Sequence, residues 1–320
     1  MKLFVHIPCL NEAEFIADVV RSIPRNIDGF SKVNVLVIDD GSTDDTAERA
    51  EAAGADYVLR NPVNMGLAYT YIRGLEECIE RGADVILNYD ADAQYKAECI
   101  PALTKPILEG KADLVVGVRP IRQIEHFSPA KKVLQGLGST VVRKVSGVLV
   151  EDAPSGFRAI TRKAASHLFV FNGYTYTLET LIQAGQAGIA VTTVPIEVNP
   201  PIRPSRLMRN STIYILKSAA TILRVSFLYR PFKIMLWLAL FTGLPALVAI
   251  VRFLIAYAAG EGNGMVQSLV LGGALLVVST MLLVGGMLAE LLAANRRILQ
   301  DTRARQLLGR GAVKIGPEPR

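Results

Sequence analysis

The stretch Asn88-Tyr89-Asp90-Ala91-Asp92-Ala93-Gln94 carries two carboxylates separated by a single residue. It follows the apolar run Val85-Ile86-Leu87, which predicts the end of a buried strand. Where a strand stops, two such carboxylates can turn toward one divalent cation, and the Gln94 carbonyl offers a third oxygen. Hard oxygen ligands suit Mg²⁺ or Mn²⁺, which complete their shells with water and substrate phosphates. The same residue types also cap helices and sit in turns, here ahead of a helix starting near Glu98, so the spacing alone leaves both readings open.

The elements that must position this pair alternate regularly. Residues 3–7 predict a first strand, ended by Pro8, and a helix with Phe15, Ile16, Val19, Val20 and Ile23 on its apolar face follows. Residues 33–38 predict a second strand running into Asp39-Asp40-Gly41-Ser42-Thr43-Asp44, where Gly41 permits a tight turn and Ser42, Thr43 or Asp44 can cap the next helix. Strands at 55–59, 84–88 and 113–118 and a helix at 66–81 complete the pattern, which predicts an α/β fold with a doubly wound, mostly parallel sheet. In such sheets ligands bind outside the carboxyl ends of the strands. Residues 8–12, 39–42, 90–94 and Arg119 all fall at such ends. His6, inside the first strand, reads as a core or supporting residue. No G-x-G-x-x-G follows the first strand and no G-x-x-x-x-G-K-[ST] occurs, which removes the main support for dehydrogenase and P-loop readings. Cys9, Cys78 and Cys99 are scattered and odd in number, so neither a disulfide framework nor a zinc site is expected, and a reducing compartment is. The first residues do not have the pattern of a signal peptide.

Of the 320 residues, 51% are hydrophobic, and the excess is concentrated near the carboxyl end. Residues 234–259 and 265–292 are two apolar runs, each longer than the roughly 20 residues that span a bilayer, and they predict a membrane hairpin over residues 234–293. The expected organisation is a globular domain over 1–207, interfacial amphipathic helices over 208–233, the hairpin, and a basic tail over 294–320. The net charge of +6 comes partly from arginines and lysines beside the apolar runs, which favours an anionic membrane surface over nucleic acid. Arg224, Arg230 and Lys233 precede the first run, and Arg296, Arg297, Arg303 and Arg305 follow the second. The positive-inside rule therefore predicts a two-span inner or plasma membrane protein with its globular domain in the cytoplasm. Gly272-Gly273 and Gly285-Gly286 provide flat surfaces for close helix contact, within the hairpin or between copies in a homo-oligomer.

Four motifs occur in a familiar order: Ile7-Pro8-Cys9-Leu10-Asn11-Glu12, Val37-Ile38-Asp39-Asp40-Gly41-Ser42-Thr43-Asp44, Asn64-Met65-Gly66 and Asp90-Ala91-Asp92-Ala93-Gln94-Tyr95. They resemble the amino-terminal signature of a family 2 glycosyltransferase of GT-A fold. Pro154-Ser155-Gly156-Phe157-Arg158 and Val194-Pro195-Ile196 narrow the resemblance to the dolichol-phosphate mannose synthase branch, one subgroup of which has two carboxyl-terminal membrane helices. The resemblance covers roughly residues 3–207. It implies transfer of a sugar from a UDP- or GDP-sugar donor to a polyprenyl phosphate, undecaprenyl or dolichyl, with Mg²⁺ or Mn²⁺ as cofactor. Pro8, Asn11 and Glu12 would line the nucleotide pocket, with Asp40 near the base and ribose. Asp90, Asp92 and Gln94 would hold the metal, and Arg119 would sit beside the phosphates. Asp152 and the turn Ser155-Gly156-Phe157-Arg158 would border the acceptor and donor sugar, and Arg203, Ser205 and Arg206 resemble a basic loop that closes over the phosphates. Tyr95 stands where histidine is common, Leu67-Ala68-Tyr69 replaces a Gly/Lys-rich run, and Pro204 lies where a glycine-containing loop is frequent. These departures bear on sugar identity and loop motion more than on reaction class.

The chemistry stands without the resemblance. Breaking a sugar–diphosphate bond leaves negative charge on the departing nucleotide, which a cation and arginines stabilise. A phosphate acceptor has a second pKa of about 6 and is already an anion near neutral pH, so it needs little help from a base. Direct attack at C1 inverts the anomeric centre. Asp152 is open as base, orienting group or loop residue, Arg158 as phosphate ligand or ion-paired scaffold, and Glu179 as acceptor-site carboxylate or part of a solvated helix face. Three rivals share the fold: a processive polysaccharide synthase, a transferase with another lipid, polysaccharide or soluble acceptor, and a catalytically inert sensor. The synthase reading lacks a Q-x-x-R-W motif, since the single tryptophan, Trp237, lies inside the first apolar run.

Overall fold

The computed structural model describes residues 1–120, 143, 146–170, 176–199, 224, 227, 231–261 and 265–313. Two compact units result, one of Met1–Ile222 with Gln300–Arg320 and the other of Leu223–Leu299.

The first unit is built on strands β1 (Lys2–Cys9), β2 (Lys32–Asp39), β3 (Tyr57–Arg60), β4 (Val85–Asn88), β5 (Leu114–Val118), β6 (Arg158–Thr161) and β7 (Val191–Pro195). Helices α1 (Ile16–Ser22), α2 (Thr46–Ala52), α3 (Leu67–Glu80), α4 (Ile100–Leu108), α5 (Arg162–Ser166) and α6 (Thr177–Gln186) connect or follow them. One mixed sheet runs β3-β2-β1-β4-β6-β5-β7. β1 pairs in parallel with β2 and β4, β2 with β3, and β5 with β7, while β6 is antiparallel to both β4 and β5. Leu3, Val5, Ile7, Val35, Val37, Val85, Leu87 and Val115 are fully buried, as near-continuous apolar strands covered on both faces must be.

The first strand does not end at Pro8 as the sequence predicts; it continues to Cys9, with Pro8 opposite Ile38. β4 pairs with β1 only from Leu3 to His6, so at Pro8 the strand has lost a neighbour on one side and a missing N–H is tolerated there. His6 is a core residue. It is 0% exposed, burial pulls its pKa down to about 3, and it lies against Gly74 of α3, where an added Cβ would come within 1.9 Å of Nε2.

The second unit contains α7 (Pro231–Ala258) and most of α8 (Val266–Val313). Both are long and apolar enough to cross a membrane, and their apolar side chains are mostly exposed, with Phe241 79% and Leu292 69% exposed. A soluble core helix would hide such side chains. Within the hairpin, Ser279 Oγ donates to the Ala239 carbonyl at 2.8 Å beside Gly243. Gly272 lies against the Ala246 carbonyl and Ile250, and Gly286 against Met235, whereas Gly273 and Gly285 have nothing within 4 Å of a built Cβ. One glycine of each pair is therefore used for contact inside the hairpin.

α8 does not stop with the apolar run. It continues to Val313, so the expected tail from 294 is helical over most of its length, and from Gln300 onward it belongs to the first unit. There Arg303 bonds Glu76 of α3, donates to the Leu168 carbonyl at 3.2 Å and lies 5.0 Å from the Phe169 ring centroid. Ala304 and Leu307 are buried. The sequence hides this because the arginines that flank a membrane span and those that dock a helix look alike.

Overpacking a close helix contact costs about 1–3 kcal/mol. Gly272→Leu is therefore expected to lower the thermal midpoint of the detergent-solubilised protein, and Gly273→Leu to leave it unchanged.

Candidate functional site

The carboxyl ends of β1, β2, β4 and β5 converge as the sequence predicts for a doubly wound sheet. The loops after β1 and β2 are stitched together. The Asn11 amide donates to Ser42 Oγ at 2.8 Å, the Thr43 amide to Asn11 Oδ1 at 2.9 Å, and the Glu12 amide to Thr46 Oγ1 at 2.9 Å. Asn11 has φ 53°, a left-handed conformation that asparagine tolerates better than most residues. Pro8 is buried in β1 and Glu12 is 9% exposed. Asp39, which sequence reading leaves without a role, is 0% exposed, accepts from the Ser42 amide at 2.9 Å and lies 3.1 Å from Arg60 Nε.

Asp40 is occupied by its own surroundings. Oδ1 accepts from Asn61 Nδ2 at 2.7 Å and the Met65 amide at 2.9 Å, and Oδ2 accepts from the Gly66 amide at 2.9 Å. Gly66, with φ 93°, precedes α3, so the carboxylate shapes the 61–66 loop and the start of that helix.

Asp90 and Asp92 follow β4 directly and are half-buried. Burial first, and the Asp92 charge second, push Asp90 up to about 7, while the Arg119 guanidinium acts in the opposite direction. These three groups thus share one electrostatic neighbourhood. Gly156, in the turn before β6, lies against this carboxylate, where an added Cβ would meet both Asp90 oxygens at 3.1 Å and the Tyr176 hydroxyl at 2.9 Å. Asn88 Nδ2 donates to the Gly156 carbonyl at 2.9 Å, to the Tyr176 hydroxyl at 2.9 Å and to Asp90 Oδ1 at 3.4 Å. Tyr176 stacks on Tyr71 with centroids 3.8 Å apart. Asn88, Gly156 and Tyr176 frame Asp90, and of the three only Tyr176 lies outside the stretches that the sequence singles out.

Asp92 Oδ1 accepts from the Gln94 amide at 3.0 Å. Among the described residues no group of three or more His, Cys, Asp or Glu is gathered for a metal. Two carboxylates whose like charge raises one pKa, in a cradle with no room for a Cβ, fit a hard divalent cation that takes its other ligands from Gln94, water and phosphate. A cavity of about 780 Å³ is lined by Asp18, Ser22, Tyr89, Ala93, Tyr95 and Asn199 among others. It does not include Asp90, Asp92 or Arg119, so it is separate from this site.

Arg119 and Asp152 form a bidentate pair, Nε to Oδ2 at 2.7 Å and Nη2 to Oδ1 at 2.9 Å, with Asp152 0% and the Arg119 side chain 13% exposed. Both Asp152 oxygens are engaged, and this geometry fits a group that orients Arg119 rather than an open base. Of the two readings open for Arg158, burial goes against the phosphate ligand. Its side chain is 1% exposed and donates to the Ser155 carbonyl at 2.8 Å, the Ala153 carbonyl at 2.7 Å and Thr180 Oγ1 at 2.8 Å. It is scaffold, held by neutral oxygens instead of an ion pair, and burial pulls its pKa below the usual value. Ser155 is likewise fully buried, and Glu179, on α6, is 1% exposed and so is not on a solvated face. Arg203, Ser205 and Arg206 lie outside the described residues.

The raised pKa of Asp90 has a defined sign. The unfolded state loses this proton near pH 4 and the folded state near pH 7, so metal-free stability falls between those values and stays lower above them. Asp90→Asn is expected to raise the metal-free thermal midpoint at pH 8 and leave it nearly unchanged at pH 4, read by thermal denaturation in chelator.

The glycosyl transferase family 2 model matches residues 4–169, just over half of the chain. An undecaprenyl-phosphate mannosyltransferase of Micrococcus luteus is 29% identical over 206 residues, covering 61% of this chain and 83% of that protein. A UDP-N-acetylglucosamine–dolichyl-phosphate N-acetylglucosaminyltransferase of Methanococcus voltae is 28% identical over 217 residues, covering 61% and 84%. Among solved structures, glucosyl-3-phosphoglycerate synthase from Mycobacterium tuberculosis, crystallised with Mn²⁺, UDP-glucose and phosphoglyceric acid, matches with a TM-score of 0.57 at 24% identity. That match covers 70% of this chain and 79% of the other, and shows a shared fold. With its signature motifs at the carboxyl ends of these strands and the family match spanning them, the chain belongs to glycosyl transferase family 2.

Proposed function

We propose that this enzyme is an inverting, divalent-metal-dependent transferase that moves a sugar from a UDP- or GDP-sugar to a polyprenyl phosphate in the cytoplasmic leaflet of a membrane. The observation that carries this reading is the shared neighbourhood of Asp90, Asp92 and Arg119 past β4 and β5. Mg²⁺ or Mn²⁺ on Asp90, Asp92 and Gln94 supplies, when bound, positive charge against the leaving nucleoside diphosphate. Mn²⁺ and UDP-glucose in glucosyl-3-phosphoglycerate synthase, which shares the fold, support that assignment.

Arg119 adds a second positive charge, and Asp152 fixes the plane of its guanidinium so that no reorganisation is needed as charge develops. Pro8, Asn11 and Glu12 form the wall of the nucleotide pocket, and Asp40 acts through the 61–66 loop that it ties down. Arg203, Ser205 and Arg206 bind the phosphates, on the strength of the resemblance. Acceptance of polyprenyl phosphate is supported by the names of the relatives and by two exposed apolar helices of membrane-spanning length. Such an acceptor keeps its chain in the bilayer and presents only an anionic phosphate.

Membranes containing the protein, incubated with a panel of labelled nucleotide sugars and Mn²⁺, are expected to place label in a mild-acid-labile lipid. Label in polymer or in a soluble product would overturn the acceptor assignment. Asp92→Asn is expected to abolish transfer while the protein stays folded and membrane-bound. Asp152→Asn is expected to lower kcat evenly from about pH 6 to about pH 9, because an orienting partner contributes no titration of its own; loss of one limb of the pH profile would make Asp152 the base.

A further inference from the structure

The loop that carries Asp90, Asp92 and Gln94 is held in place from the segment after β7. Asn199 Nδ2 donates to the Ala93 main-chain carbonyl at 2.9 Å and the Asn199 main-chain amide to the Gln94 main-chain carbonyl, not its side chain, at 2.8 Å. One residue thus receives two successive carbonyls of the loop. Tyr95 and Val198 form a β-bridge, and Lys96 pairs with Glu197, so the two segments run side by side.

Among the described residues, Asn11 and Ala93 alone are non-glycine residues with positive φ, and Ala93 has φ 56°. Left-handed backbone is unfavourable for alanine, which has no side-chain group to satisfy its own main chain there. The turn at Ala93 is also what brings the Gln94 amide back to Asp92 Oδ1 at 3.0 Å. If Ala93 relaxed to an ordinary conformation, that bond would break and the turn that joins Asp92 to Gln94 would open.

We propose that Asn199 is a positioning residue for the cation-binding loop, holding Ala93 in the left-handed conformation that presents Asp92 and Gln94 together. This rests on the metal reading of the preceding subsection. Asn199 is half-buried and acts through the two main-chain carbonyls to which it donates.

The test uses the full chain in detergent micelles and reads free Mn²⁺ by electron paramagnetic resonance, with UDP or GDP as the nucleotide probe. Removing one hydrogen bond of ordinary net strength weakens an equilibrium about fivefold, so Asn199→Ala is expected to lower Mn²⁺ affinity by about that factor. Metal-free nucleotide affinity and the thermal midpoint should stay close to wild type, as loss of a merely structural contact would not produce this pattern. Asn199→Leu, similar in size and without a donor, is expected to lose as much. In an Ala93→Gly background the Asn199→Ala effect should shrink to less than about twofold, because glycine adopts positive φ without help. Unchanged Mn²⁺ affinity in both Asn199 variants, or an equal loss in the alanine and glycine backgrounds, would overturn the inference. Wild-type protein that binds no Mn²⁺ with either nucleotide would instead overturn the metal reading on which it rests.

Discussion

Two like charges placed together at the end of β4 are the constraint around which the catalytic unit is arranged. Asp90 and Asp92 are half-buried, and the charge of Asp92 adds to burial in making ionisation of Asp90 harder. The surroundings do not relieve this by opening the site to water. Gly156 lies directly against the Asp90 oxygens, and Asn88 and Tyr176 fill the remaining side. Such a corner is unstable when ionised and empty, and is relieved by positive charge. The nearby Arg119 supplies part of it, and a cation arriving with a nucleotide diphosphate would supply the rest.

The two arginines of this region illustrate how location decides chemistry. Arg119 follows β5, keeps part of its side chain accessible and is oriented by a carboxylate, so its charge remains aimed and available. Arg158 begins β6, and its guanidinium donates to two carbonyls and a hydroxyl in the interior. There it knits the 153–155 turn to α6, so that the backbone of Gly156 is held where it must pass Asp90. One guanidinium stays partly accessible beside the carboxylates and the other stabilises the wall behind them.

Much of this was legible in the chain because it is local. Apolar runs of four to eight residues ending in polar clusters mark β1, β2, β4 and β5, and a doubly wound sheet brings those clusters to one edge. The D-x-D pair needs only the strand before it to be located. What escaped sequence reading depends on partners far away in the chain. Asp152 meets Arg119 across 33 residues and Asn199 meets Ala93 across 106, and no local pattern encodes either. An arginine in a phosphate-like motif reads equally as phosphate ligand or scaffold until its burial is known, which is why Arg158 stayed open in the sequence. β6 is only four residues long and runs against its neighbours, so it left no periodic signal. The helical continuation of α8 was masked by arginines that serve the positive-inside rule and helix docking equally well.

That continuation has a consequence for biosynthesis. Arg303 bonds Glu76 across 227 residues, with α7 and the apolar part of α8 emerging between them. During translation the α/β sheet can assemble early, but α3 and α5 lack a docking partner until the final helical turns have left the ribosome. The hairpin is therefore available to the insertion machinery before the domain is finished, and a nascent chain stalled ahead of residue 300 would expose the surface on which Ala304 and Leu307 normally rest.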